Sequence, residues 1–251
     1  MAPATNTPAK RRLDAELVAR GLAKTQSSAR TMILAGLVSS DGAPFSKPGA
    51  RVDPNRSITV QGKDGTWVGR GGLKLAHGLE HFEIDPAGAI ALDIGASTGG
   101  FTQVLLTGGA ARVYAVDVGA DQMAKPLRHD ARVVVLDRVN ARALTTDDIP
   151  QAIDLIVCDA SFIGLEVVLP NALGLAGPAA HLVALIKPQF EVGPDRVGKG
   201  GIVRGPDLHA EVCDRIEAWL GAQGWGVLGV TPSPVDGAQG NKEFLIVARR
   251  V

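Results

Sequence analysis

Seven short apolar runs fill the chain from residue 89 onward, alternating with stretches that read as helix. This alternation limits the fold more tightly than any other feature. The runs are 89–94, 112–117, 132–136, 153–158, 181–187, 226–231 and 243–249, and helical stretches include 101–108, 163–175 and 207–222. Strand–helix alternation of this kind builds a mostly parallel sheet with helices on both faces. A chain of 251 residues, 45% of them hydrophobic, can bury one large core or two modest ones.

The first run ends in Asp93-Ile94-Gly95-Ala96-Ser97-Thr98-Gly99-Gly100, and a helix begins at Phe101. Glycines here let the backbone approach a ligand and adopt dihedrals closed to other residues. The spacing is not G-x-G-x-x-G, and no Lys-Ser/Thr pair follows as in a P-loop. The loop therefore suits a ligand of little negative charge. D-I-G-x-x-x-G-G resembles the first motif of S-adenosylmethionine (SAM) methyltransferases. That resemblance implies SAM as cofactor, with Gly95, Ser97, Thr98, Gly99 and Gly100 around it.

Ligands of open α/β sheets bind outside the carboxyl ends of the strands, where Asp93, Asp117, Asn140 and Asp159 fall. Asp117 closes the second run, where an acid accepts hydrogen bonds from ribose hydroxyls. Asp137 and Asn140 follow the third run and could contact adenine, although Asp137 is equally placed to cap a helix. Asp93 either orders the loop or neutralises the cofactor's amino group. NAD sites also combine a glycine loop with a distal acid, but the glycine spacing counts against an oxidoreductase.

Charge is uneven although the net is zero: residues 1–74 carry +7 and the remainder −7. A basic N-terminal part suggests a polyanion-binding module. Residues 12–21 and 27–34 read as helices, and 37–38 and 58–60 as short strands around the turn Asp41-Gly42. The motifs Arg12-Leu13-Asp14, Gly21-Leu22-Ala23, Ser27-Ser28-Ala29-Arg30 and Gly36-Leu37-Val38 resemble the S4 RNA-binding domain over residues 11–62. The resemblance implies binding of structured RNA, for which Arg11, Arg12, Arg20, Lys24 and Arg30 are the candidate phosphate contacts. Residues 63–70 read as a linker, and residues 71–251 as the second domain. Met1 to Lys10 is small and polar and reads as a disordered tail rather than a secretory signal. Cys158 and Cys213 lack metal-ligand spacing and fit a reducing cytoplasm; no metal is expected. No apolar run approaches the ~20 residues that span a bilayer.

Amine methyltransferases of this fold often carry Asp/Asn-Pro-Pro-aromatic after the fourth strand. Here the position reads Asp159-Ala160-Ser161-Phe162. Cys158 reads as a core residue rather than a nucleophile. Four ionisable residues remain at element ends: Lys74, Asp159, Lys187 and Glu243. This Lys-Asp-Lys-Glu order resembles the tetrad of FtsJ-like 2′-O-ribose methyltransferases. A ribose hydroxyl is a weak acid, so its proton needs an acceptor in the transition state. The expected base is Lys187, with Lys74 polarising the hydroxyl and Asp159 and Glu243 orienting the lysines.

An S4-like domain ahead of an FtsJ-like domain resembles the TlyA family, often labelled hemolysin. Val68-Gly69-Arg70-Gly71-Gly72-Leu73-Lys74, Lys187-Pro188-Gln189-Phe190-Glu191 and Gly240-Asn241-Lys242-Glu243 carry the match. The resemblance implies an α/β fold: a Rossmann-like SAM methyltransferase domain behind a small α+β S4-like domain. By that analogy the last two runs, with no helix between them, form an antiparallel edge pair. It also implies a cytoplasmic enzyme that methylates cytidine 2′-hydroxyls of ribosomal RNA in the small and often also the large ribosomal subunit, with an effect on sensitivity to cyclic-peptide antibiotics. The rivals are a membrane-lytic protein and an inactive RNA-binding assembly factor. Gly198–Arg204, glycine-rich with two cations, either closes over RNA or is idle.

Overall fold

The computed structural model describes residues 10–23, 25–34, 38–40, 43–45, 47–60 and 67–251. Lys24, the Asp41-Gly42 turn and positions 63–66 of the expected linker lie outside them. The chain divides into two compact units, Met1–Arg70 and Gly71–Val251.

In the first unit, β1 (Arg11–Arg12) leads into α1 (Leu13–Ala19) and α2 (Gln26–Leu34). Four short strands follow: β2 (Val38–Ser40), β3 (Ala43–Pro44), β4 (Arg51–Val52) and β5 (Thr59–Val60). β1 pairs antiparallel with β4, and β2 lies between β3 and β5. Leu13 and Leu17, one helical turn apart on α1, bury against Ala29 and Ile33 of α2 and against Val38, Val52 and Val60.

The arginines of this unit divide into two kinds. Asp14 and Glu16 are buried in α1, and a buried carboxylate needs a cation. Arg12 and Arg30 both bind Asp14, at 2.9 and 3.1 Å, and the Arg12 hydrogen bond holds that carboxyl far below its usual range. Both arginines stay half-exposed, so their outer faces remain open to a phosphate. Arg20 differs from the sequence expectation. Its guanidinium binds Glu16 and donates to the carbonyls of Pro54 and Arg56, which consumes its fork internally. Arg11 is mostly exposed, 3.8 Å from Glu16.

The second unit opens with α3 (Gly71–His81). Next come β6 (Ile90–Ile94), α4 (Gly100–Thr107), β7 (Arg112–Asp117), α5 (Lys125–Arg128), β8 (Val133–Asp137) and β9 (Ile153–Cys158). Then follow α6 (Leu165–Val168), α7 (Pro170–Gly174), β10 (Ala176–Ile186), α8 (Pro188–Glu191), α9 (Pro206–Ala222), β11 (Trp225–Pro232) and β12 (Phe244–Arg250). The seven strands stand in the order β11-β12-β10-β9-β6-β7-β8. β8, β7, β6, β9 and β10 run parallel, and β12 runs antiparallel to both of its neighbours. The expected edge pair is therefore half at the edge: β11 is the outer strand and β12 is inserted beside β10. This matters for the site, because reversing β12 brings its start to the same end of the sheet as the ends of the parallel strands.

Two other expectations shift. The helix read over 163–175 is split by Pro170, which has no N–H to donate and starts α7 instead. β10 begins five residues early, at Ala176, through a bulge before His181.

Period-2 alternation sends side chains to two faces. Leu92, Ile94, Ile156, Cys158, Leu182, Ala184, Ile186 and Ile246 pack into one core with Val212, Ile216 and Leu220 of α9. The opposite face carries α3, which lies close to the sheet: a Cβ on Gly78 would meet Val183 at 3.3 Å and Leu245 at 3.5 Å. Extending the alternation past each strand end assigns Asp159, Lys187 and Glu243 to the α3 face, the face that Asp93 also shares.

Candidate active site

The glycine loop is a built turn. Gly95 has φ +81°, and a Cβ there would meet the backbone of Ala160 at 3.0 Å. Gly99, the N-cap of α4, has φ +93°, and its Cβ would come within 2.5 Å of Leu127. Ser97 between them takes φ +46°, where a side chain is strained. Asp117 holds it there, accepting the Ser97 N–H on Oδ2 at 2.9 Å and the Gly119 N–H on Oδ1 at 2.7 Å. The Ser97 hydroxyl donates to Gln122 Oε1 at 3.0 Å.

Beside this loop lies a cleft of about 420 Å³. Its walls are mostly apolar, with Ile94, Val116, Val139, Ile163 and Val168 among them, and Asp117, Asn140 and Asp159 line it too. Asp137 does not line it. Its carboxylate is held by Arg128 at 2.6 Å and by the Asp121 N–H, and the Arg128 hydrogen bond lowers its pKa. Asn140 accepts the Arg142 N–H at 3.1 Å, capping a short 3-10 turn at the cleft margin.

Asp93 is fully buried beneath the loop, out of a ligand's reach. The Thr102 hydroxyl donates to its Oδ2 at 2.6 Å, tying β6 to the first turn of α4, and its Oδ1 is unpartnered. Burial is the chief cause that pushes this carboxyl up to about 7; the Thr102 hydrogen bond opposes it and the nearby charge of Asp159 adds to it. The sign follows. Between the unfolded value near 4 and about 7 the native state holds the extra proton, so stability falls as pH rises through that window. The full effect is of order 4 kcal/mol. Asp93→Asn is expected to flatten the fall in melting temperature between pH 5 and 8, read by thermal unfolding across that range. An unchanged slope would show that Asp93 is ionised throughout.

Lys74, Asp159, Lys187 and Glu243 form two ion pairs at the same end of the sheet. Lys74 donates to Glu243 Oε2 at 2.5 Å, both residues being buried at 3% and 4% exposure. Lys187, 6% exposed, lies 2.7 Å from Asp159 Oδ1, off hydrogen-bond alignment, and donates to the Asp159 carbonyl at 3.0 Å and the Ser161 hydroxyl at 2.9 Å. The pairs adjoin one another. β9, β10 and β12 are successive strands, with Ile186 opposite Phe244, and a Cβ on Gly71 would lie 3.1 Å from Asp159 Oδ2. Asp159 also lines the cleft, so the Lys187–Asp159 pair borders it.

Cys158 is buried, and burial pushes its thiol up to about 12, which removes it as a nucleophile. Two residues emerge that sequence reasoning did not assign. Ser161 is a direct partner of Lys187; its nearness to Asp159 was the available signal. Phe162 lines the cleft at φ +65°; the residue is 90% exposed, and its ring is tilted on Phe190 at 5.1 Å between centroids. An exposed phenylalanine in a strained backbone position is a signal that appears in three dimensions alone. Among the described residues, no group of His, Cys, Asp and Glu is arranged to hold a metal ion.

The chain matches known families and proteins over most of its length. The FtsJ-like methyltransferase model matches residues 67–250, and the S4 domain model matches residues 11–58. The 16S/23S rRNA (cytidine-2′-O)-methyltransferase TlyA of Mycobacterium tuberculosis is 48% identical over 95% of this chain and 89% of its own. Hemolysin A of Brachyspira hyodysenteriae is 37% identical over 93% of this chain and 98% of its own. A solved structure described as a hemolysin, from Streptococcus thermophilus, superposes with a TM-score of 0.76 at 37% identity, covering 97% of this chain and 89% of that one.

Proposed function

Because the chain belongs to the FtsJ-like methyltransferases and, with its S4 domain, to their TlyA group, we propose that it transfers a methyl group from SAM to the 2′-hydroxyl of a cytidine in ribosomal RNA. The observation that carries this reading is the two adjoining lysine–carboxylate pairs, of which Lys187–Asp159 borders the cleft through Asp159. Substrates inside ribosomal subunits imply a cytoplasmic enzyme.

The residues fit SAM. The cleft is mostly apolar, and two acids, Asp117 and Asp159, line it against one cation, Arg142, which suits a cationic nucleoside better than a phosphate-bearing one. Gly95, Gly99 and Gly100 provide the cradle and Asp117 the acceptor for ribose hydroxyls; Asp93 acts from beneath, by fixing the loop. Asp137 holds Arg128 rather than the cofactor. Bound SAM supplies an electrophilic methyl group on a sulfonium. Asp117→Ala removes a charged acceptor and frees Ser97. It is expected to weaken SAM binding about 10- to 100-fold in a calorimetric titration; wild-type affinity would remove Asp117 from the site.

The protein's own task is to orient the hydroxyl and take its proton. Lys187, as the neutral amine, accepts that proton and becomes the cation of the pair with Asp159. The ammonium formed is stabilised by acceptors already in place, the Asp159 carboxylate and carbonyl and the Ser161 hydroxyl. Lys74, fixed by Glu243, polarises the ribose oxygen from the other side. Phe162 offers an exposed face on which the target base can stack. The S4 unit adds Arg11, Arg12 and Arg30 as phosphate contacts.

The hemolysin names of some relatives raise membrane lysis as a rival. No helix of the described residues is long and apolar enough to cross a membrane. Mapping 2′-O-methyl groups in ribosomal RNA from cells with and without this protein tests the proposal. One missing cytidine mark supports it, and identical maps overturn it.

A further inference from the structure

The loop Gly198–Arg204 carries two cations that the catalytic account does not use. Gly198 and Ile202 form an antiparallel bridge, and Gly200 and Gly201 turn the chain at φ +79° and +76°. The base of the loop is fixed. Val203 is buried, and the buried Asn241 grips the loop twice: its Oδ1 accepts the Val203 N–H at 3.0 Å, and its Nδ2 donates to the Gly201 carbonyl at 2.9 Å. Asn241 also reaches the catalytic pair. Its own carbonyl accepts the Gly237 N–H at 2.8 Å, and a Cβ on Gly237 would overlap Glu243 Oε1, the carboxylate that holds Lys74.

Cations near this loop are mostly neutralised. Arg196 binds Glu211 and Lys242 binds Asp236. Lys199 and Arg204 are exposed and form no ion pair or side-chain hydrogen bond with any described residue. Two unpaired cations on a tethered hairpin lose little freedom when they meet an anion. We propose that this loop is a preset phosphate-binding rim for the RNA strand flanking the target nucleotide, and that Asn241 is the positioning residue that keeps the rim in register with the Lys74–Glu243 pair. The inference rests on the RNA methyltransferase reading and adds a contact surface outside the S4 unit. A loop held this way acts as a fixed edge rather than a closing lid.

Fluorescence anisotropy of the full chain with a structured ribosomal RNA fragment, titrated over a range of salt, tests it. Lys199→Ala/Arg204→Ala is expected to weaken binding about tenfold at low salt and to reduce the salt slope by about 0.7–0.9 per lost phosphate contact, with SAM affinity unchanged. Asn241→Ala is expected to weaken RNA binding in the wild-type background and to add nothing when Lys199 and Arg204 are already absent. If Asn241→Ala loses SAM binding, Asn241→Asp carries the same comparison, because it keeps the acceptor for Val203 and drops the donation to Gly201. A wild-type salt slope in the double variant overturns the rim, and additive losses overturn the role of Asn241. Methyl transfer by the wild-type preparation separates the two readings. If wild type methylates RNA and the slope does not change, the rim alone fails; if wild type methylates no RNA, the proposed function fails.

Discussion

Lys187→Met should slow methyl transfer to RNA by about 10²- to 10⁴-fold, the usual contribution of a positioned general base, while SAM affinity stays within about threefold. Methionine keeps most of the methylene stem, so the packing at the end of β10 survives. The proton acceptor is lost. Asp159 is partly exposed and can be rehydrated, so the variant should remain folded. The measurement is single-turnover transfer with saturating SAM, beside a SAM titration. A rate near wild type would remove Lys187 as the base. Loss of SAM binding would instead give it a role in shaping the 159–162 segment.

The second large effect separates stability from activity. Lys74 and Glu243 bury opposite charges almost completely. Removing one partner leaves the other uncompensated, which costs about 3–5 kcal/mol. Glu243→Leu should therefore lower the melting temperature by roughly 10 °C in a unit of this size. Adding Lys74→Met removes the stranded charge, and apolar replacement of a buried ion pair is often neutral or better. The double variant should regain most of the lost stability but none of the methyl transfer. Recovery of both would show that the pair is a packing device. Recovery of stability alone is expected of a pair kept for its chemistry.

Much of this was legible in the sequence because it depends on local pattern. The seven apolar runs became the seven strands within a few residues, since a strand buried on both faces needs little else to identify it. Asp117 and Lys187 could be assigned to one end of the sheet because each closes an apolar run, whereas Glu243 opens its run and joins them because β12 is reversed. The structure adds what depends on pairing between distant residues. Arg20 and Asp137 read as ligand contacts from charge and position, but buried Glu16 and partly buried Arg128 consume them. The insertion of β12 beside β10 is a topological choice that periodicity does not encode. The double grip of Asn241 joins segments 38 residues apart, and nothing in the local sequence marks it.

Incubating the purified protein with ribosomal subunits and methyl-labelled SAM, then digesting the RNA to nucleosides, interrogates the central chemistry most directly. The account predicts label in 2′-O-methylcytidine with wild type and almost none with Lys187→Met. Label on a base atom, or equal label from both proteins, would contradict a lysine-assisted transfer to a sugar oxygen.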